Sequence, residues 1–201
     1  MQGMIEKRGS IGIIWIDNPP VNAISHAVRE GLIKAVENAS KDSEIKGLVL
    51  ACRGRTFMAG ADITEFASGV KPPWLGEVID TMSESSKVIV AAIFGTTFGG
   101  GLEVALGCNY RIADSNTKIG LPEVKLGIIP GAQGTQRLSR VSSVEFALKL
   151  ATLGNPVGAQ EALEAGAIDK ISNGELIDDA VSYAEELLKN NAPLKLSLIH
   201  I

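Results

Sequence analysis

The sequence predicts an α/β layer fold with a largely parallel sheet, and three observations carry that prediction. Apolar runs rich in β-branched residues, with no polar side, recur at Ile11–Ile16, 47–51 and 88–94; amphipathic helical stretches separate them; and the last third reads as helix after helix. Strands buried on both faces lose the alternation of a half-exposed sheet and mark parallel sheets covered by helices. With 201 residues, 45% hydrophobic and 21% charged, the chain has apolar material for one full core.

Taken in order, Ile11–Ile16 is closed by Asn18-Pro19-Pro20, as a strand running into a turn. Ser25 then caps a helix whose apolar face is Val28, Leu32, Ile33 and Val36, with Arg29, Glu30, Lys34 and Glu37 on the polar face. After Asp42 the period changes and 47–51 reads as a buried strand, followed by a loop over 53–62 bracketed by Gly54 and Gly60. A helix over 74–86 and a strand over 88–94 lead to Gly99-Gly100-Gly101, which opens a helix running to Gly107. Short strands are expected at 110–113 and 118–120, and helices at 132–139, 143–153, 157–165 and 175–189. No low-complexity tract or linker divides the chain. Residues 196–201, Leu-Ser-Leu-Ile-His-Ile, form an apolar stop without a cap and resemble translated adaptor, so they are set apart as a non-native tail and residues 1–195 are taken as the domain.

Composition excludes several classes of function. The net charge is −4 and the basic residues are scattered, which is not the footprint of a nucleic-acid binder. Cys52 and Cys108 each sit in an apolar stretch as small buried thiols, fitting a reducing compartment. Residues 1–8 lack a secretory pattern and no stretch reaches the roughly 18 to 20 apolar residues of a membrane span, so an intracellular protein is expected. His26 and His200 are the only histidines, and neither lies at metal-ligand spacing from Cys, Asp or Glu, which disfavours a metal site and a Ser-His-Asp triad.

The residues that remain are carboxylates and small backbone segments. At Phe94-Gly95-Thr96-Thr97-Phe98-Gly99-Gly100-Gly101-Leu102-Glu103 the strand over 88–94 ends and glycines lead into a helix, whose first amides have no intrahelical partner and can bind a negative oxygen, making Gly100 N–H a candidate donor. Glycine triplets also mark turns and close packing. Nucleotide motifs fit no better, since Val104 stands where the third glycine of a dinucleotide fingerprint belongs and no Lys-Ser or Lys-Thr follows. Glu103 lies one turn into that helix among Leu102, Val104 and Leu106; burial raises its pKa and the helix start lowers it, and a plain helix-dipole role is open. Glu123, after Leu121-Pro122, is presented from an irregular, partly apolar segment or is a solvated loop charge. Met58-Ala59-Gly60-Ala61-Asp62-Ile63 follows a buried strand with small residues that let a ligand approach the main chain, so Ala61 N–H is a candidate partner donor, while Ala-Gly-Ala is also a common packing sequence. Two such amides stabilise an enolate-like transition state while two carboxyls manage protons.

Together these pieces resemble the crotonase, or enoyl-CoA hydratase/isomerase, family over about residues 11–189. The segment from Met58 to Ile63, the glycine triplet with Glu103, Gly120-Leu121-Pro122-Glu123, Gly127-Ile128-Ile129-Pro130-Gly131 and Gly134-Thr135-Gln136-Arg137-Leu138 stand in family order, with the two glutamates twenty positions apart. Asn18-Pro19-Pro20-Val21-Asn22-Ala23 is similar to the N-terminal motif of the bifunctional fatty-acid β-oxidation enzymes, whose first domain hydrates and isomerises enoyl-CoA.

The resemblance implies a spiral of repeated ββα units, truncated in its C-terminal helical part. It implies Ala61 and Gly100 as oxyanion-hole amides, Glu103 as the base towards water, Glu123 as the acid towards the α-carbon and Gly131 beside the water. Coenzyme A is placed by Ala59, Gly60, Ala61, Asp62 and Ile63, with Asn22 and Ala23. The pocket floor is implied to come from residues 66–74 and the C-terminal helices. The implied reaction is reversible hydration of trans-2-enoyl-CoA to 3-hydroxyacyl-CoA, with the thioester as substrate and neither metal nor redox cofactor. A Δ3-Δ2-enoyl-CoA isomerase, and a non-catalytic acyl-CoA- or protein-binding homologue, are the alternatives. Expected partners are the acyl-CoA and either further copies of the chain or a covalently fused 3-hydroxyacyl-CoA dehydrogenase domain, with neither nucleic acid nor a membrane span. The compartment is then cytoplasmic in a bacterium and peroxisomal in a eukaryote. Two departures stand out: Phe94 occupies a position where relatives often carry His or Asn, implying altered packing, and Gln133 replaces a frequent Gly or Arg, implying an effect on acyl-chain fit.

Overall fold

Strands β2 (Ile11–Ile16), β3 (Gly47–Cys52), β4 (Val88–Ile93) and β6 (Tyr110–Ala113) are buried along their whole length, which is why their sequences show no polar side. In this computed structural model, which describes residues 4–65 and 69–194, they form the centre of a six-stranded sheet. Residues 66–68 and the tail 196–201 lie outside the described residues. The sheet is completed by β1 (Met4–Arg8) and β9 (Lys170–Ile171) in the order β1-β2-β3-β4-β6-β9, and every pairing is parallel except β1 with β2. The strands alternate sides with period two: Ile14, Ile16, Leu48, Leu50, Ile89 and Ala91 enter the larger core, while Ile11, Ile13, Val49, Ala51, Val90 and Ala92 enter a second core.

Helices cover both faces. On the larger core lie α1 (His26–Lys41), α2 (Leu75–Ser83), α3 (Gly100–Gly107), α4 (Gly134–Val141), α5 (Val144–Leu153) and α6 (Ala159–Glu164). On the other side α7 (Leu176–Lys189) packs Ala180, Ala184 and Leu187 against the sheet. Ser25 caps α1 as expected, its side chain accepting from Val28 N–H at 3.4 Å. Three short strands were not anticipated at all: β5 (Thr96–Phe98), β8 (Val157–Gly158) and β9, while β1 has an exposed face too irregular to stand out. A helix over 157–165 is shortened accordingly, because Val157 and Gly158 pair with β7 (Lys118–Gly120) instead.

The small strands give the fold its layered turns. β5, β7 and β8 form a second sheet beside the first. After β4 the chain crosses to β5 and enters α3; after β6 it crosses to β7 and enters a 3-10 helix, Pro122–Leu126. Each of these turns therefore delivers a helix start, and one glutamate, to the same region.

That region is reached by close backbone contact. A Cβ at Gly101 would lie 1.9 Å from Met58 O, so the start of α3 presses directly on the loop after β3. Gly101→Ala is therefore expected to destabilise the protein by about 3 kcal/mol or more, read from urea unfolding midpoints, because backbone rather than a flexible side chain must move.

Candidate active site

Two loops are tied together before any reacting group is placed. Asn22 sits at φ 51°, 3% exposed, with Nδ2 donating to Arg53 O and Thr56 O at 2.8 Å and Oδ1 accepting from Asn18 N–H at 2.8 Å. Ala23 O accepts from Asn18 Nδ2 at 2.7 Å, and Ile24 N–H donates to Gly60 O at 2.9 Å. These bonds hold the 53–62 loop, and with it Ala61, against the start of α1. Neither Asn22 nor Ala23 lines the cavity described next.

The cavity encloses about 550 Å³ and is lined by Ala59, Gly60, Ala61, Asp62 and Ile63 on one side. Gly100, Glu103, Glu123 and Gly131 line it as well, so nine of the residues singled out in the sequence meet in one place. Among the described residues no backbone carbonyl accepts from Ala61 N–H or Gly100 N–H. The two come close together: a Cβ at Gly100 would stand 3.5 Å from Ala61 N. Gly99, the N-cap of α3, has φ 53° and ψ −125°, a conformation that favours glycine.

Glu103 is 3% exposed, and its Oε1 accepts from both Ala132 N–H and Gly134 N–H at 2.8 Å. Burial pushes its pKa up, and the Gly134 and Ala132 amides oppose that shift. Glu123 stands in the first turn of the 3-10 helix, 8% exposed, rather than in an irregular loop or as a solvated charge. A Cβ at Gly99 would meet its Oε1 at 3.0 Å, so glycine is what lets the carboxyl lie against the helix start. Burial raises its pKa and the neighbouring Glu103 charge raises it further. Its Oε2 is buried and has no hydrogen-bond partner among the described residues. A carboxyl placed this way holds a proton more readily than an ordinary glutamate and has an oxygen available to another molecule.

Two features of the site escaped the sequence. Arg29, assigned to the polar face of α1, is only 4% exposed and lines the cavity. Its guanidinium donates to Pro73 O at 2.7 Å, Lys71 O at 3.0 Å and Ile24 O at 3.2 Å, and pairs with Glu65 at 2.9 Å. Helical spacing cannot show that a loop folds over the polar face and satisfies an arginine there. The amides of residues 132 and 134 as holders of Glu103 were also missed; the small residues around Pro130-Gly131 were the available signal. Gln133 does not line the cavity, its side chain turning instead to Asp80 and Arg137. Among the described residues no group of three His, Cys, Asp or Glu is placed to hold a metal ion, and no helix is long and apolar enough to cross a membrane.

Comparison with known proteins gives a consistent picture. The family described as enoyl-CoA hydratase/isomerase matches residues 6–198. The peroxisomal bifunctional enzyme of Cavia porcellus is 44% identical over 189 residues, covering 92% of this chain and 26% of that protein. A probable enoyl-CoA hydratase of Bacillus subtilis (strain 168) is 36% identical, covering 95% of this chain and 78% of the other. The solved enoyl-CoA hydratase of Bacillus anthracis superposes with a TM-score of 0.86 at 30% identity, covering 93% of this chain and 76% of that one. The chain thus spans about a quarter of the length of the bifunctional relative.

Proposed function

Since this chain belongs to the enoyl-CoA hydratase/isomerase family and has its crotonase fold, we propose that it adds water reversibly across the double bond of a trans-2-enoyl-CoA, giving 3-hydroxyacyl-CoA in fatty acid β-oxidation. The observation that carries the reading is the pair of buried carboxyls, Glu103 and Glu123, on one cavity with the Ala61 and Gly100 amides. The two N–H groups donate to the thioester oxygen and stabilise the enolate that forms as water attacks; a single donor of this kind is worth about 3 to 4 kcal/mol. Glu103, ionised, takes a proton from the attacking water beside Gly131, and Glu123, protonated, delivers one to the α-carbon. The charge on Glu103 favours the proton on Glu123, the arrangement that hydration requires.

Coenzyme A lies along Ala59–Ile63, and the chemistry calls for no cofactor beyond the thioester itself. The same Glu123 and oxyanion hole suffice to move a double bond between Δ3 and Δ2, so isomerisation is a second reaction of the site. By its likeness to peroxisomal bifunctional enzymes, the chain works beside a fused 3-hydroxyacyl-CoA dehydrogenase half, inside the cell and in a eukaryote in the peroxisome.

Adding crotonyl-CoA to the purified chain tests the reading. Absorbance of the conjugated enoyl thioester is expected to fall to an equilibrium value with 3-hydroxybutyryl-CoA as product. No loss of absorbance, or release of free coenzyme A thiol in its place, would reject a hydratase.

A further inference from the structure

Gln133 takes a left-handed backbone, φ 73° and ψ 5°, which an ordinary side chain adopts only when its surroundings hold it there. Its neighbour Gly134 would adopt that conformation at no steric cost, but Gly134 is needed for contact: a Cβ there would lie 2.8 Å from Glu103 Oε1 and 2.9 Å from its Cγ. A left-handed residue between two ordinary ones turns its flanking N–H groups towards one point. Here both aim at Glu103 Oε1.

Both ends of the Gln133 amide are held. Nε2 donates to Asp80 Oδ1 on α2 at 2.8 Å, and Oε1 accepts from Arg137 Nε on α4 at 2.8 Å. Arg137 is fully buried, and its Nη2 donates to Ser83 Oγ at 3.1 Å and lies 3.9 Å from Asp80 Oδ1. The strained turn is therefore clamped between two helices.

We propose that Gln133 is a positioning residue for hydration, fixing through Asp80 and Arg137 the 132–134 turn that presents Glu103 to the attacking water; this rests on the reading of Glu103 as the base. Among the described residues the charged groups around this corner include Glu123 on the 3-10 helix, Asp80 on α2, and Arg137 and Arg140 on α4. The amides on Oε1 oppose burial by favouring the ionised carboxylate, so loosening the turn makes Glu103 hold its proton to higher pH.

The test compares the full chain with Gln133→Ala and Asp80→Ala variants, following the Glu103 carboxyl by NMR with carbon-13-labelled glutamate, assigned with Glu103→Gln. In both variants Glu103 is expected to titrate at higher pH, and the rising limb of kcat/KM for crotonyl-CoA to move the same way. For Gln133→Ala, kcat is expected to fall about tenfold with KM within about twofold, because a misplaced base affects the step and not the binding. Asp80 is half-exposed, so its variant keeps the test available where Gln133→Ala fails to fold. An unchanged Glu103 titration in Asp80→Ala and in any folded Gln133→Ala overturns the proposal, even if activity falls. A shifted titration in a chain that does not hydrate crotonyl-CoA overturns the proposed reaction and leaves the clamp standing.

Discussion

Glu123→Gln is expected to suppress hydration and double-bond isomerisation together, each by about 10² to 10⁴ in kcat, the range that a positioned proton-transfer group supplies. The amide has the size of the carboxyl and keeps an oxygen for the side facing Gly99, so the cavity wall is preserved. It cannot give up or take a proton at the α-carbon, which both reactions require. The pH profile of the unaltered protein is expected to test the same assignment: burial first, and the Glu103 charge against an opposing backbone hydrogen bond, push the Glu123 pKa up. Hydration needs the proton on Glu123, so the rate should fall as pH rises through the raised pKa of Glu123 and fall at the acid side as Glu103 is protonated. Parallel assays with crotonyl-CoA and a trans-3-enoyl-CoA, with circular dichroism to confirm folding, make the comparison. A variant that retains either activity would move the α-carbon proton to another residue.

Much of this site was legible because its parts are local motifs at helix starts and strand ends. The apolar runs at Ile11–Ile16, Gly47–Cys52 and Val88–Ile93 announced a doubly covered parallel sheet, and the glycines before Glu103 announced a helix start. What stayed hidden depends on contacts between distant segments. β8 and β9 consist of two residues each and exist only because β7 and β6 offer partners, a relation that no window of sequence contains. Asn22 was grouped with ligand-binding residues by its motif, whereas its amide is spent on Arg53 O and Thr56 O. Arg29 followed the polar face of its helix by spacing alone, and its burial is explained by the segment containing Lys71 and Pro73 closing over it.

Glu103→Gln is expected to separate the two reactions, lowering hydration by about 10³ while leaving isomerisation within about tenfold. The glutamine oxygen can accept from Ala132 N–H and Gly134 N–H as Oε1 does, so the side chain stays in place. Its NH2 end cannot accept a proton from water, and water is a reactant in hydration only. Isomerisation begins with removal of a proton from C2 by ionised Glu123, and the substitution affects that step in a defined direction. Removing the Glu103 charge removes a cause of the raised Glu123 pKa, so Glu123 ionises at lower pH and the rising limb of the isomerisation profile moves to lower pH. Loss of the water-activating group and relief of its repulsion on the second carboxyl are thus read in one variant by two substrates. Equal losses in both reactions, or an isomerisation limb that stays where it was, would show that Glu103 neither activates water nor shares the cavity's charge with Glu123.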